Sequence, residues 1–350
     1  MTDEPILEVR DLRKYFAQNR SLGDMALGRK KDKIQAVDDV SFDLRRNEVK
    51  GIIGESGCGK TTLLMTLLGL HEKSGGEILF NGRDYSEFDK EDWKRFRRSV
   101  QVIFQDPFDS LDPKMTVKQT LEIPLEVHGI GDREERIRDT LDMVELRPAD
   151  RYIDRYPNQL SGGEKQRVSI ARALILEPDI ILADEPVSML DVSTQAVILK
   201  LLSKLTEEQD VSMIYISHDL STVSYVCDEI NVMYLGRIVE TAPTMDLLRS
   251  PKHPYAEALI NAIPVPNPHK KRERTDLEGS TPDPIGLGEG CRFRDRCPER
   301  MPICDTTPKY LEVESGRRVA CHLHYDHESL PRDTNGDAVV SKSTQASPQT

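Results

Sequence analysis

Eight consecutive residues carry the clearest chemistry in the chain. They read Gly54-Glu55-Ser56-Gly57-Cys58-Gly59-Lys60-Thr61 and match the spacing G-x-x-x-x-G-K-[ST] in full. Gly54, Gly57 and Gly59 let the backbone fold into a nest whose N–H groups, those of Ser56 and Cys58 among them, face phosphate oxygens. With Thr62 the pattern turns helical, and a helix N-terminus adds partial positive charge. Lys60 is placed to reach the β- and γ-phosphates, and the Thr61 hydroxyl to ligate Mg²⁺. These residue types at this spacing predict a site for ATP and Mg²⁺. Because Cys58 lies inside the loop, its alkylation is expected to block nucleotide binding unless ATP protects it.

A carboxylate pair belongs with this loop. Residues 180–185 read Ile-Ile-Leu-Ala-Asp184-Glu185, an apolar strand ending in two acids. Asp184 then stands beside the phosphates, where it can hold Mg²⁺ through water. Glu185 is placed to take a proton from an attacking water, the general-base role. Between loop and carboxylates lies Leu160-Ser161-Gly162-Gly163-Glu164. Ser161 is a good helix N-cap, and two glycines allow another molecule to approach that helix start closely.

The surrounding pattern is α/β. Val49–Ile53, Val100–Phe104, Ile180–Ala183 and Met213–Ile216 read as strands. Thr61–Leu70, Gly163–Leu176 and Thr194–Leu205 carry apolar residues three or four apart and read as helices. Alternating strands and helices predict a mainly parallel sheet covered on both faces. The charged, helix-rich stretch at about 91–176 reads as a helical subdomain inserted into that core.

Taken together, these residues resemble the ATP-binding subunit of an ABC transporter, and the fold expected is the P-loop NTPase cassette of that family with an antiparallel β edge. Residues 160–164, LSGGE, are close to the family signature LSGGQ, with Glu164 in place of Gln. Asn47 likewise replaces the Gly usual before Glu48. Phe16 resembles the aromatic that stacks on adenine, with Tyr15 as the second candidate. Gln105 resembles the glutamine that senses the γ-phosphate, joins the Mg²⁺ ligands and contacts the permease. Asp191 resembles the D-loop aspartate, and His218 the switch histidine on the γ-phosphate. The resemblance makes Glu185, His218, Lys60 and Gln105 the catalytic set. It also implies head-to-tail pairing, in which Ser161, Gly162 and Gly163 of one subunit close over the ATP of the other.

A narrower resemblance covers residues 236–322. Gly236-Arg237-Ile238-Val239-Glu240, His253-Pro254-Tyr255-Ala256 and the run from Gly290 to His322 are similar to the C-terminal extension of oligopeptide and dipeptide importer ATPases. The basic insertion containing Arg29-Lys30-Lys31 resembles the branch found as the second of two unlike ATPases. The implied partners are therefore an unlike ATPase paralogue, two membrane permease subunits and, indirectly, an extracellular solute-binding protein. The implied place is the cytoplasmic face of the plasma membrane.

Cys291, Cys297, Cys304 and Cys321 fall in this extension at the spacing C-x₅-C-x₆-C-x₁₆-C. That spacing matches neither ferredoxin runs nor common zinc modules. The family resemblance implies a [4Fe–4S] cluster on these four thiols. Zinc, for which His322, His324 and His327 lie close in sequence, and free or paired thiols stay open. The expected organisation is a cassette over 1–263, a cysteine-bearing extension over 264–330 that is small and irregular, and a disordered tail over 331–350.

Composition bounds the rest. The chain has 350 residues, 37% hydrophobic and 31% charged, with 48 basic and 60 acidic residues and a net charge of −12. An acidic surface repels phosphate backbones, so no nucleic-acid partner is expected. No apolar run approaches the ~18 residues of a membrane span. The acidic start lacks a signal-peptide pattern, which predicts an intracellular chain. The rival reading is a soluble ABC ATPase serving nucleic acid or ribosomes. It is disfavoured by the charge, by the single cassette and by the lack of sustained heptads between Lys60 and Ser161.

Overall fold

The computed structural model describes residues 4–17, 33–262 and 282–325. The basic insertion at 29–31, the boundary near 264, His327 and the tail at 331–350 lie outside the described residues. Four five- or six-residue apolar runs build the centre: β3 (Val49–Ile53), β7 (Ile180–Asp184), β8 (Ser212–Ser217) and β9 (Glu229–Tyr234). Strands covered on both faces need apolar side chains on both, which is why β7 reads as a continuous run; in β3 the buried Lys50 is paired with Glu48 and Glu229. They pair in parallel in the order β9-β3-β8-β7, with β6 (Val100–Ile103) parallel at the far edge. The fold is thus α/β with a mainly parallel core sheet.

Side-chain alternation sorts the sheet into two cores. Ile181, Ala183, Met213 and Tyr215 face a helical layer. That layer comprises α3 (Val117–His128), α4 (Arg133–Met143), α5 (Gly162–Leu174), α6 (Val192–Glu208) and α7 (Leu220–Val226). Ile180, Leu182, Ile214 and Ile216 face the opposite way, toward α1 (Lys60–Leu67), α2 (Lys90–Ser99) and a second sheet. This second sheet is antiparallel, in the order β2-β1-β4-β5, from β1 (Leu7–Ala17), β2 (Lys33–Leu44), β4 (Gly75–Phe80) and β5 (Arg83–Asp84). The stretch 91–176 holds most of the helical layer. It also contains β6, whose residues belong to the main sheet and not to the helical part.

The extension is built onto the cassette. From β9 the chain turns back as β10 (Arg237–Pro243), antiparallel, and β12 (Arg317–Val319) pairs with β10 through Glu240 and Thr241. β11 (Leu311–Glu314) closes the edge. Glu240, fully buried, meets Arg317 at 3.1 Å and accepts from the N–H groups of Lys252 and His253 at 3.0 and 2.7 Å. This pair ties the extension to the residues just before α8 (Pro254–Asn261).

Candidate nucleotide site

Parallel strands deliver the site. Gly54, Gln105, Glu185 and His218 each come at or just past the carboxyl end of a neighbouring strand, β3, β6, β7 and β8. In open α/β sheets that end is where ligands bind. A cavity of about 770 Å³ opens there. Phe16, Ala36, residues 54–57 and 59–62, Gln105, Glu185 and His218 line it, joined by Leu259 and Pro284.

The loop geometry follows from its glycines. Gly59 has φ 108°, and a Cβ there would lie 2.0 Å from the Ala36 carbonyl oxygen. At Gly54 a Cβ would lie 2.2 Å from the Met233 carbonyl oxygen, so the loop is pressed onto β9. The Lys60 ammonium donates to the carbonyls of Gly54 and Glu55 at 2.7 and 3.1 Å. The Thr61 hydroxyl donates to Asp184 Oδ2 at 3.2 Å. Burial pushes the Asp184 carboxyl up, against the bond from Thr61, and neighbouring Glu185 adds to the rise. A buried carboxylate beside a hydroxyl is a hard-oxygen pair suited to a divalent cation such as Mg²⁺.

Glu185 is gripped from two sides. Its Oε1 is 2.8 Å from Nδ1 of His218, and its Oε2 accepts from the Gln105 amide at 3.1 Å. Its backbone has φ 47°, the left-handed region that non-glycine residues rarely adopt. The N–H of Glu185 donates to the Ile216 carbonyl at 2.9 Å, so the neighbouring strand holds the turn in place. Gln105, Glu185 and His218, far apart in sequence, are thereby brought into one constellation beside Lys60 and Thr61.

On the opposite wall, strand alternation separates the two aromatic candidates. The Tyr15 hydroxyl donates to Asp38, while Phe16 lines the cavity, edge-on to His71 at 5.4 Å and under the Lys14 ammonium at 4.8 Å. Cys58 corrects the expectation of a reactive thiol. Its side chain is 1% exposed and absent from the cavity wall, and burial raises the thiol above its ordinary value. Its backbone is engaged as well, the N–H donating to the Glu55 carbonyl at 3.3 Å and the carbonyl accepting from the Gly236 N–H at 2.7 Å.

Ser161, Gly162, Gly163 and Asp191 are not among the residues lining the cavity of their own chain. Ser161 caps α5: its Oγ accepts from the Glu164 N–H at 3.3 Å, and the Ser161 N–H donates to the Glu164 carboxylate at 2.7 Å. Glu164 in place of Gln completes this box. Burial opposes its charge, but the bonds from Ser161 prevail and hold its carboxyl below the usual range. Asp191 caps α6 through Ser193 and Thr194, whose hydrogen bonds keep its carboxyl well down. A Cβ on Gly163 would meet the Thr194 methyl at 2.6 Å, so the two capped helix starts lie against each other.

The four extension cysteines share one corner. The Cys291 N–H donates to the Cys304 carbonyl at 2.8 Å. Burial first, then the neighbouring thiols, pushes Cys291 to about 11 and Cys321 to about 12, and Cys297 rises as well. Among the described residues no three His, Cys, Asp or Glu side chains are arranged to hold a metal ion. The thiols are neighbours without forming a ready-made ligand set.

Comparison with known proteins settles the kinship. The ABC transporter family matches residues 37–188, and the oligopeptide/dipeptide transporter C-terminal region matches residues 239–304. The oligopeptide transport ATP-binding protein AppF of Bacillus subtilis is 42% identical over 328 residues, covering 92% of this chain and 98% of that protein. The chain belongs to the ABC transporter family of ATP-binding subunits, oligopeptide/dipeptide type. Another such ABC subunit, the dipeptide transport ATP-binding protein DppF of Escherichia coli, is 40% identical over 319 residues, or 91% of this chain and 94% of its own. The ABC cassette fold is matched by the dimeric, post-hydrolysis structure of the ATP-binding cassette MJ0796 bound to ADP and Pi. It has a TM-score of 0.58 and 29% identity over 68% of this chain and 98% of that one. These kinships do not favour the soluble alternative. Among the described residues no helix is long and apolar enough to cross a membrane.

Sequence reasoning missed the residues that reach the cavity from later in the chain. Leu259 and Pro284 line it, and Arg296 bonds Glu55 across 241 positions. Nothing in the local pattern of those residues marks them.

Proposed function

We propose that this chain is the ATP-hydrolysing subunit that powers import of di- or oligopeptides through a membrane permease. One observation carries the reading: the Glu185 carboxylate, held between His218 and Gln105, meets the cavity that Lys60 and Thr61 line. Lys60 neutralises phosphate charge, and Phe16 stacks on the adenine. Thr61 and Asp184, with Gln105, would hold Mg²⁺, which supplies further positive charge to the phosphates. Glu185 takes the proton of the attacking water, and His218 keeps that carboxylate aimed while contacting the γ-phosphate. Ser161, Gly162, Gly163 and Asp191 serve the nucleotide of a second subunit, a role supported by their absence from the lining of their own cavity.

The partners proposed are an unlike ATPase paralogue and two permease subunits reached through the helical subdomain around Gln105. An extracellular binding protein delivers solute, and no nucleic acid takes part. The chain then works at the cytoplasmic face of the membrane. Its division is cassette 1–263, with the helical subdomain at about 91–176, extension 264–330 and tail 331–350. Likeness to relatives named for oligopeptide and dipeptide transport supports peptide as the solute. The test is uptake of labelled peptide into vesicles carrying the assembled transporter. Peptide uptake that needs ATP supports the reading, and ATP hydrolysis unresponsive to any peptide-loaded binding protein overturns it.

The shared corner of Cys291, Cys297, Cys304 and Cys321 and the family resemblance support a [4Fe–4S] cluster there, with zinc as the alternative. A broad absorbance near about 400 nm in anaerobically purified protein, bleached by dithionite, supports iron–sulfur. A chain with stoichiometric zinc and no such band overturns it.

A further inference from the structure

The turn Cys291-Arg292-Phe293-Arg294-Asp295-Arg296-Cys297 sends three side chains out of the extension and into the frame of the nucleotide cavity. Arg296 meets Glu55, the second residue of the phosphate loop, with two parallel bonds: Nη1 to Oε2 at 2.8 Å and Nη2 to Oε1 at 3.0 Å. This fork on a carboxylate fixes orientation as well as distance. The Arg296 side chain is 9% exposed and that of Glu55 25%, so the pair is partly shielded from water.

The other two contacts frame the same loop. Phe293, buried, packs on Tyr234 and Tyr255 with ring centroids 5.3 and 5.4 Å apart. The Tyr255 hydroxyl accepts from the Glu55 N–H at 2.9 Å. Arg292 donates to the Leu235 carbonyl and to the side chains of Gln35 and Asp38 on β2. The neighbouring Ala36 carbonyl is the group that crowds Gly59. Glu55 is therefore held at its carboxylate by Arg296, at its amide by Tyr255, and at its carbonyl by Lys60.

We propose that the Cys291–Cys297 turn is a positioning element of the nucleotide site, with Arg296 holding the phosphate loop through Glu55 and cancelling a negative charge beside the phosphates. The proposal rests on the ATP-binding reading above. Two physical effects give Arg296 this role. A glycine-rich loop has many conformations to lose, so a brace that sets its shape beforehand lowers the cost of binding. An unpaired Glu55 carboxylate would also repel the polyphosphate, and the guanidinium removes that repulsion. Arg296 touches neither phosphate nor metal and is a positioning residue.

The charge argument gives an asymmetric test. The intact chain is titrated with Mg²⁺ and the non-hydrolysable ATP analogue AMP-PNP by isothermal calorimetry, with thermal unfolding measured alongside. Arg296→Gln, which leaves Glu55 charged and unpaired, should weaken binding about tenfold. Glu55→Gln should weaken it about two- to threefold. The double variant should return to the level of Glu55→Gln. Arg296→Lys, which keeps the charge and loses the fork, should fall between, and it stands in if Arg296→Gln does not fold. In steady-state hydrolysis the loss should appear in KM, with kcat held. Equal affinities in all variants, with only a drop in unfolding temperature, would overturn the proposal. Strictly multiplied losses in the double variant would do the same. If the unmodified chain binds no MgAMP-PNP, the ATP-binding reading itself fails, a result distinct from either.

Discussion

Nδ1 of His218 lies 2.8 Å from Oε1 of Glu185. The second carboxylate oxygen is engaged by Gln105 at 3.1 Å, and the Glu185 backbone is held at φ 47°. A carboxylate gripped at both oxygens on a strained turn has one orientation available. Strain of this kind costs about 1–3 kcal/mol and persists where the surroundings over-determine it.

Replacing this carboxylate is the sharpest test of the proposed chemistry. Glu185→Gln keeps the shape and removes the base, so steady-state ATP hydrolysis should fall by about 10²- to 10⁴-fold. Binding of MgATP should persist, and a paired, ATP-loaded species should accumulate on size exclusion. Full steady-state phosphate release from this variant would remove Glu185 from the base role.

Two glycines of the phosphate loop should respond differently to the same change. Gly59→Ala puts a methyl 2.0 Å from the Ala36 carbonyl oxygen at φ 108°, whereas Gly57 has φ 80° with nothing within 4 Å. Gly57→Ala should cost about 1–2 kcal/mol of loop stability from backbone conformation alone. Gly59→Ala should lose nucleotide binding almost entirely. Equal nucleotide affinities for the two variants would show that contact with β2 does not shape the loop.

The buried pair Glu240–Arg317 should matter to stability more than any surface pair. Both side chains are almost wholly buried, and Arg317 also donates to the carbonyls of Asp246 and Ser250. Arg317→Met leaves Glu240 without its counter-charge and should destabilise the chain by about 3–5 kcal/mol. Adding Glu240→Gln should recover part of that loss in chemical denaturation. A single variant as stable as the parent would mean that the pair contributes nothing.

Acid sensitivity should trace to His253. Burial, aided by the charge of His324, lowers its value from 6.5 to about 3. Its Nδ1 must stay unprotonated to accept from the Tyr255 N–H at 3.0 Å. The unfolded chain takes up this proton below about pH 6.5 and the folded chain does not. Stability is therefore whole above that pH and falls as pH drops, by up to about 1.4 kcal/mol per unit. His253→Asn retains a capping acceptor without the titration, so its unfolding free energy should vary less between pH 6.5 and 5. Identical pH slopes in the two proteins would clear His253 of the effect.

Much of the site is legible because its determinants are local. The phosphate loop, the acids ending β7 and the Ser161 cap each depend on neighbours within a few positions. The bounds of β3 agree residue for residue with the apolar run Val49–Ile53. The resemblance ranks Phe16 before Tyr15, but the physical reason shows only when β1 is laid beside β2, where pleating sends Tyr15 to Asp38 and Phe16 to the cavity. The bond between Arg296 and Glu55 has no local signal. It exists because the chain returns after 241 positions to the loop it left, and periodicity does not record such returns.

The strand β12 also decides which backbone ends the main sheet. β10 is almost entirely buried, and the outermost strand is instead β11, four residues long with Glu312 and Glu314 exposed. Short, charged edges resist joining the edges of other molecules. A chain ending after Ala262 would keep the proposed catalytic residues, lose the Arg296 brace on the phosphate loop, and expose β10, a buried seven-residue strand whose groups at Glu240 and Thr241 would no longer be paired. Loss of the extension would thus appear as self-association and precipitation as well as weaker nucleotide binding.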